Sequence, residues 1–71
     1  MLKTCIIDDE ANSREVLELM LNENHTDVTV MATASNIKEG AAIIAKYQPD
    51  IIFLDIEMPG GNGFELVKKL P

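Results

Sequence analysis

Three aspartates stand where apolar runs of this chain stop. Asp8 and Asp9 follow Cys5-Ile6-Ile7, and Asp55 follows Ile51-Ile52-Phe53-Leu54. Carboxylates brought together repel and raise one another's pKa unless a cation joins them. An all-oxygen set with few carboxylates, leaving room for water, suits Mg²⁺ better than zinc or iron. Such an ion can also hold a phosphoryl group against a carboxylate, and carboxylates attack phosphorus to give an aspartyl phosphate. Asp55 is the best placed of the three to be that nucleophile. It ends a strand and precedes Met58-Pro59-Gly60-Gly61-Asn62-Gly63, a turn that Pro59 stiffens and the glycines permit. Each acid taken alone reads as a solvated loop residue, so the chemistry depends on whether the fold brings them together.

The elements that would do so can be read in order. Thr4–Asp8 is a short apolar run rich in β-branched residues and ending in acid, as in a buried strand. Asn12-Ser13-Arg14-Glu15 has the form of a capping box, with Asn12 as N-cap and Glu15 three residues on. Val16, Leu17, Met20 and Leu21 follow at helical spacing, and residues 22–25 break the pattern; Met20, Met31 and the leucines of this helix read as core. Val28, Val30 and Ala32 alternate with Thr29, Met31 and Thr33, the period of a second strand. Asn36 and Glu39 repeat the cap, Ile37, Ala41 and Ile44 make the stripe of a second helix, and Gln48-Pro49 closes it. Residues 51–54 are a third strand, and Asn62 with Glu65 signals a third cap, opening a short helix over 64–70.

This βαβαβα order implies parallel strands joined by right-handed helical crossovers. The first and third strands are apolar on both faces and belong inside a sheet, while the alternating second strand belongs at an edge. The order 2-1-3 follows, the start of a flavodoxin-like α/β sheet. First and third strands are then neighbours, and Asp8, Asp9 and Asp55 meet at their carboxyl ends, where open α/β sheets bind ligands.

Composition narrows the classes of function. The chain has 71 residues, enough for one small domain, with 46% hydrophobic and 25% charged residues. A formal charge of -6 disfavours contact with nucleic acid or anionic lipid by this segment. No apolar run is long enough to span a bilayer, and no secretory leader is visible. The single cysteine, Cys5, excludes an internal disulfide and fits a reducing cytoplasm; inside an apolar strand it reads as a small core residue. His25 lies in a polar connection and reads as a surface residue, Glu10 as a solvated acid, and Lys68-Lys69 as the solvated end of a helix, where positive charge suits the dipole. The glycines at 60, 61 and 63 lack dinucleotide-loop spacing.

Cys5-Ile6-Ile7-Asp8-Asp9-Glu10, then Pro49 through Gly60, then Asn62-Gly63-Phe64-Glu65-Leu66 resemble the receiver domain of two-component response regulators, over the whole chain. The resemblance implies a CheY-like fold in which residues 1–71 are a partial receiver, ending before the family's fourth and fifth strands. It implies that Asp55 is the phosphoacceptor and that Asp9 and Asp55 bind Mg²⁺ directly. Asp8 would act largely through water, and the backbone carbonyl of Glu57 would be a further ligand. The implied donor is a phosphohistidine on a sensor histidine kinase, and the implied recipient of the signal is an output domain or protein. The wording around Asp55 is similar to receivers that precede a LytTR-type DNA-binding domain.

Such a module is a phosphoryl-accepting switch rather than an enzyme. The rival reading is a chemically inactive receiver fragment that dimerises or docks, with the exposed edge of the third strand as a route to a homo-oligomer. An aspartyl phosphatase of the haloacid dehalogenase kind ranks lower, because position 57, two beyond Asp55, is Glu rather than Asp.

Overall fold

The computed structural model describes residues 1–55, 57–58 and 61–62. Strand β1 is Leu2–Ile7, helix α1 Ala11–Asn24, strand β2 Val28–Ala34, helix α2 Ile37–Tyr47 and strand β3 Ile51–Leu54. β1 pairs in parallel with both β2 and β3, so the sheet order is β2-β1-β3, as the hydrophobic patterning requires. Thr4, Cys5, Ile6 and Ile7 are buried in succession because the central strand is covered on both faces. β3 forms the other edge among the described residues, and its Phe53 is 36% exposed. The β1–β2 register skips Met31, which bulges from the edge strand. No described helix is long and apolar enough to cross a membrane.

The main core lies under α2. Ile7, Ala34 and Ile37 are buried together, with Ala41, Ile43, Ile44, Ile52 and Leu54 packed around them. Asn36 caps α2 as its sequence indicates: its side-chain oxygen accepts from the Glu39 N–H at 2.8 Å, a bond of a kind that contributes about 1 kcal/mol. The reciprocal carboxylate contact goes to Ser35, whose N–H and hydroxyl both donate to Glu39. Gln48 ends the helix in the left-handed region at φ 46°, and its N–H donates to the Ile44 carbonyl at 2.9 Å.

Helix α1 departs from the sequence reading at both ends and along its apolar stripe. Its N-cap is Glu10 rather than Asn12, and no side chain caps it. The Arg14 N–H already donates to the Glu10 carbonyl at 3.1 Å, so the first turn closes two residues early and Asn12 falls inside it. The helix also runs to Asn24, past the break expected at Asn22. Its apolar stripe is only partly buried. Leu21 is buried, whereas Val16, Leu19 and Met20 are 58%, 57% and 54% exposed. Met31 is exposed as well, contrary to its expected place in the core. The cause is geometric: α1 packs chiefly on the β2 side of the described sheet, which meets one flank of the helix.

Beyond β3, two short strands, β4 (Glu57–Met58) and β5 (Gly61–Asn62), pair antiparallel with Glu57 opposite Asn62 and Met58 opposite Gly61. The sequence reading placed a turn at 58–63 and no ladder there. The third helix expected at 64–70, with Glu65, Lys68 and Lys69, lies outside the described residues.

Two substitutions test this packing. A Cβ built on Gly40 would sit 2.9 Å from Ile7 Cδ1 and 3.2 Å from Ile7 Cγ2, so a larger residue would force the Ile7 side chain to shift. Gly40→Ala gains about 1 kcal/mol of helix propensity but overpacks a filled site at a cost of about 1–3 kcal/mol. A lowered urea midpoint is therefore expected, and an unchanged or raised one overturns the close-contact account. Thr4 is fully buried and its hydroxyl has no hydrogen-bond partner among the described residues. Thr4→Val should raise stability by about 1 kcal/mol, read from the same denaturation curves.

Candidate functional site

The site is built by strand registration. Ile7 stands opposite Leu54, so the residues after them, Asp8 and Asp55, emerge level at the carboxyl end of the sheet. Hydrogen bonds extend the ladder past both strand ends: the Asp55 N–H donates to the Ile7 carbonyl at 2.9 Å, and the Asp8 N–H to the Ala34 carbonyl at 3.0 Å. Asp9 follows in the three-residue connection to α1. Ligand-capable oxygens of Asp8, Asp9 and Asp55 all lie within 4.8 Å of one another. The structure thus brings together the three aspartates that the sequence singled out. Asp8 and Asp55 are half-buried and Asp9 is exposed.

The connection is shaped by its own polar groups. The Glu10 N–H donates to Asp8 Oδ1 at 3.0 Å, a local turn bond that aspartate commonly makes. Glu10 turns its carboxylate away to accept from the Ser13 hydroxyl at 3.3 Å. Arg14, the chain's single arginine, donates from Nη1 to the Asp8 carbonyl oxygen at 2.7 Å. Sequence reasoning passed over Arg14, treating it as an interior residue of a capping box. Its available signal was position: one turn into the helix that follows the acidic pair.

The electrostatics follow from the crowding. The Asp9 carboxyl is held above the usual aspartate range, first by local desolvation at the sheet end, although the side chain is exposed overall. Its own backbone N–H pulls the other way, and the neighbouring Asp55 and Asp8 raise it further. A cluster in this state has affinity for positive charge. Its donors are oxygen only: Cys5 is fully buried in β1 and His25 is exposed at the far end of α1. Such a donor set fits a hard divalent cation. Beside the cluster, an open hollow of about 350 Å³ is lined by Ile6, Ile7, Leu17, Phe53 and Leu54 together with Asp8 and Asp55. Glu57 lies in β4, two residues beyond Asp55. Burial also pushes the Cys5 thiol up, as expected for an inert core cysteine.

Comparison with known proteins is consistent across sequence and structure. Residues 4–71 match the family described as the response regulator receiver domain. An uncharacterized response regulatory protein of Yersinia pestis is 46% identical over 70 residues, covering 99% of this chain and 29% of that protein. The transcriptional regulatory protein BtsR of Escherichia coli K12 is 41% identical, with the same shares covered. Among solved structures, the response regulator domain of Thermotoga maritima CheB superposes with a TM-score of 0.89 at 32% identity, over 96% of this chain and 50% of that one. The chain therefore spans 29% of the length of these two curated relatives.

The raised Asp9 pKa has a measurable consequence. Because the Asp9 pKa is raised on folding, the folded state is penalised as pH climbs from the ordinary aspartate value of 3.8 through the folded value, and carries the full penalty above it. Asp9→Asn should therefore raise the Tm of the metal-free chain at neutral pH. The gain should vanish below pH 3.8, where the carboxyl is protonated folded or unfolded. A neutral-pH Tm equal to or below that of the parent would contradict an Asp9 carboxylate penalised by desolvation and by its acidic neighbours.

Proposed function

Since this chain belongs to the receiver domains of response regulators, we propose that Asp55 accepts a phosphoryl group here, in a reaction that depends on Mg²⁺. The observation that carries the reading is the convergence of Asp8, Asp9 and Asp55, from two strand ends and a loop, with ligand-capable oxygens within 4.8 Å of one another. Asp9 and Asp55 directly, Asp8 through water and the Glu57 carbonyl would hold the ion. When bound, Mg²⁺ supplies positive charge against the oxygens of the transferred phosphoryl group.

The chain's own part is nucleophile and position. An Asp55 oxygen forms the bond to phosphorus while the phosphorus–nitrogen bond of a kinase phosphohistidine breaks and its electron pair returns to the imidazole. The β1–β3 ladder holds the Asp55 backbone, which limits the reorganisation that the attack requires. Such chemistry makes a switch, accepting and losing a phosphoryl group and altering contacts with an output domain or protein. A cytoplasmic setting accords with a kinase donor of this kind. A transcriptional output, as in the name of the BtsR relative, and an output domain of the LytTR type are extensions of the same reading. The outer edge of β3 has no partner strand among the described residues, which supports self-association through that edge.

The test is to treat the chain with Mg²⁺ and acetyl phosphate and to map added mass by peptide mass spectrometry. One phosphoryl group on Asp55 is expected. It should fail to form when EDTA is present from the start, and it should be absent in Asp55→Asn. A folded chain that takes no label, or takes it elsewhere, would favour the docking-module reading instead.

A further inference from the structure

We propose that Arg14 is a positioning residue for the carboxylate site, setting the direction of Asp9 through the peptide that joins Asp8 to Asp9. The inference rests on the reading of that cluster as a Mg²⁺-dependent phosphoacceptor site. Asp9 is the most exposed member of the cluster and sits in a connection only three residues long, between β1 and α1. Arg14 grips that connection on both sides of Asp9. Before it, the guanidinium donates to the Asp8 carbonyl oxygen at 2.7 Å; after it, the Arg14 N–H donates to the Glu10 carbonyl at 3.1 Å.

The first bond matters most. The Asp8 carbonyl belongs to the planar Asp8–Asp9 peptide, so fixing its direction fixes the plane from which the Asp9 Cα and side chain depart. The Asp8 N–H is already committed to Ala34 and Asp8 Oδ1 to Glu10, so strand and local turn hold the other groups of Asp8. The guanidinium completes the set with a short charge-assisted bond from a half-buried side chain. A planar donor suits this work better than an ammonium on a flexible stem.

The sign of the effect separates positioning from charge. Removing a cation beside three carboxylates should, on Coulombic grounds alone, tighten Mg²⁺ binding. Loss of positioning should weaken it. Mg²⁺ titration followed by calorimetry and by the Asp9, Glu10 and Asp55 amide resonances should therefore show Arg14→Ala binding about tenfold more weakly than the parent, in the range seen for outer-shell partners. Arg14→Lys, which keeps the charge but not the fork, should fall between the two. In the metal-free protein, amide exchange at Glu10 should accelerate in Arg14→Ala while exchange in β1 stays as in the parent. Equal or tighter Mg²⁺ binding by Arg14→Ala overturns the proposal. If that variant does not fold, equal binding by Arg14→Lys and the parent overturns it. A parent that gives no Mg²⁺ response refutes the phosphoacceptor reading instead. Positioning is then judged on metal-free exchange, and unchanged Glu10 exchange overturns it.

Discussion

The registration of two parallel strands, with Ile7 opposite Leu54, is the constraint on which the site depends. Strand pairing is indifferent to the charge of what lies beyond its last rung, and here it delivers Asp8 and Asp55 side by side, with Asp9 following from the loop. Backbone hydrogen bonds of the extended ladder hold them there against their mutual repulsion. A cation joining the three carboxylates would relieve that repulsion. The same bonds that fix the fold thus prepare the site, and a slip of one residue in register would separate the acids and turn the strand's apolar side chains over together.

The two faces of the sheet are unequal. On one, α2 closes over Ile7 so tightly that a Cβ at position 40 would press on the Ile7 side chain, and the aliphatic residues around Ile37 fill the space. On the other, α1 keeps one flank on the sheet and leaves Val16, Leu19 and Met20 in solvent. The hollow lined by Leu17 and Phe53 opens on that side and reaches Asp55. The well-packed face anchors the strands, and the site is built at their ends toward the less covered face. Rigidity and access are thus assigned to different halves of one small sheet.

Much of this was legible in residue types alone. Continuous apolar strands ending in aspartate, helical stripes and the Asn36–Glu39 cap are local signals, each set by side-chain chemistry over a few positions. They sufficed for the element order through β3, for β2 as an edge strand and for the three acids as a group. The start of α1 was not legible, because Asn12 to Glu15 satisfies the same capping pattern as Asn36 to Glu39. What decides between the two is the length of the connection left after Ile7, with Glu10 already closing the first turn. The Met31 bulge was hidden for a similar reason: alternation along a strand continues unchanged through a residue that its partner skips.

By itself, then, the sequence determined which residues could bind a cation and accept phosphorus, since carboxylate chemistry and strand propensity are properties of the residues themselves. Tertiary structure decided how close those oxygens come and that Arg14 spends its guanidinium on the Asp8 carbonyl. It also decided that half of the α1 stripe faces water. These are distances and exposures between segments, fixed by register and packing across the sheet, and no local pattern of residues encodes them.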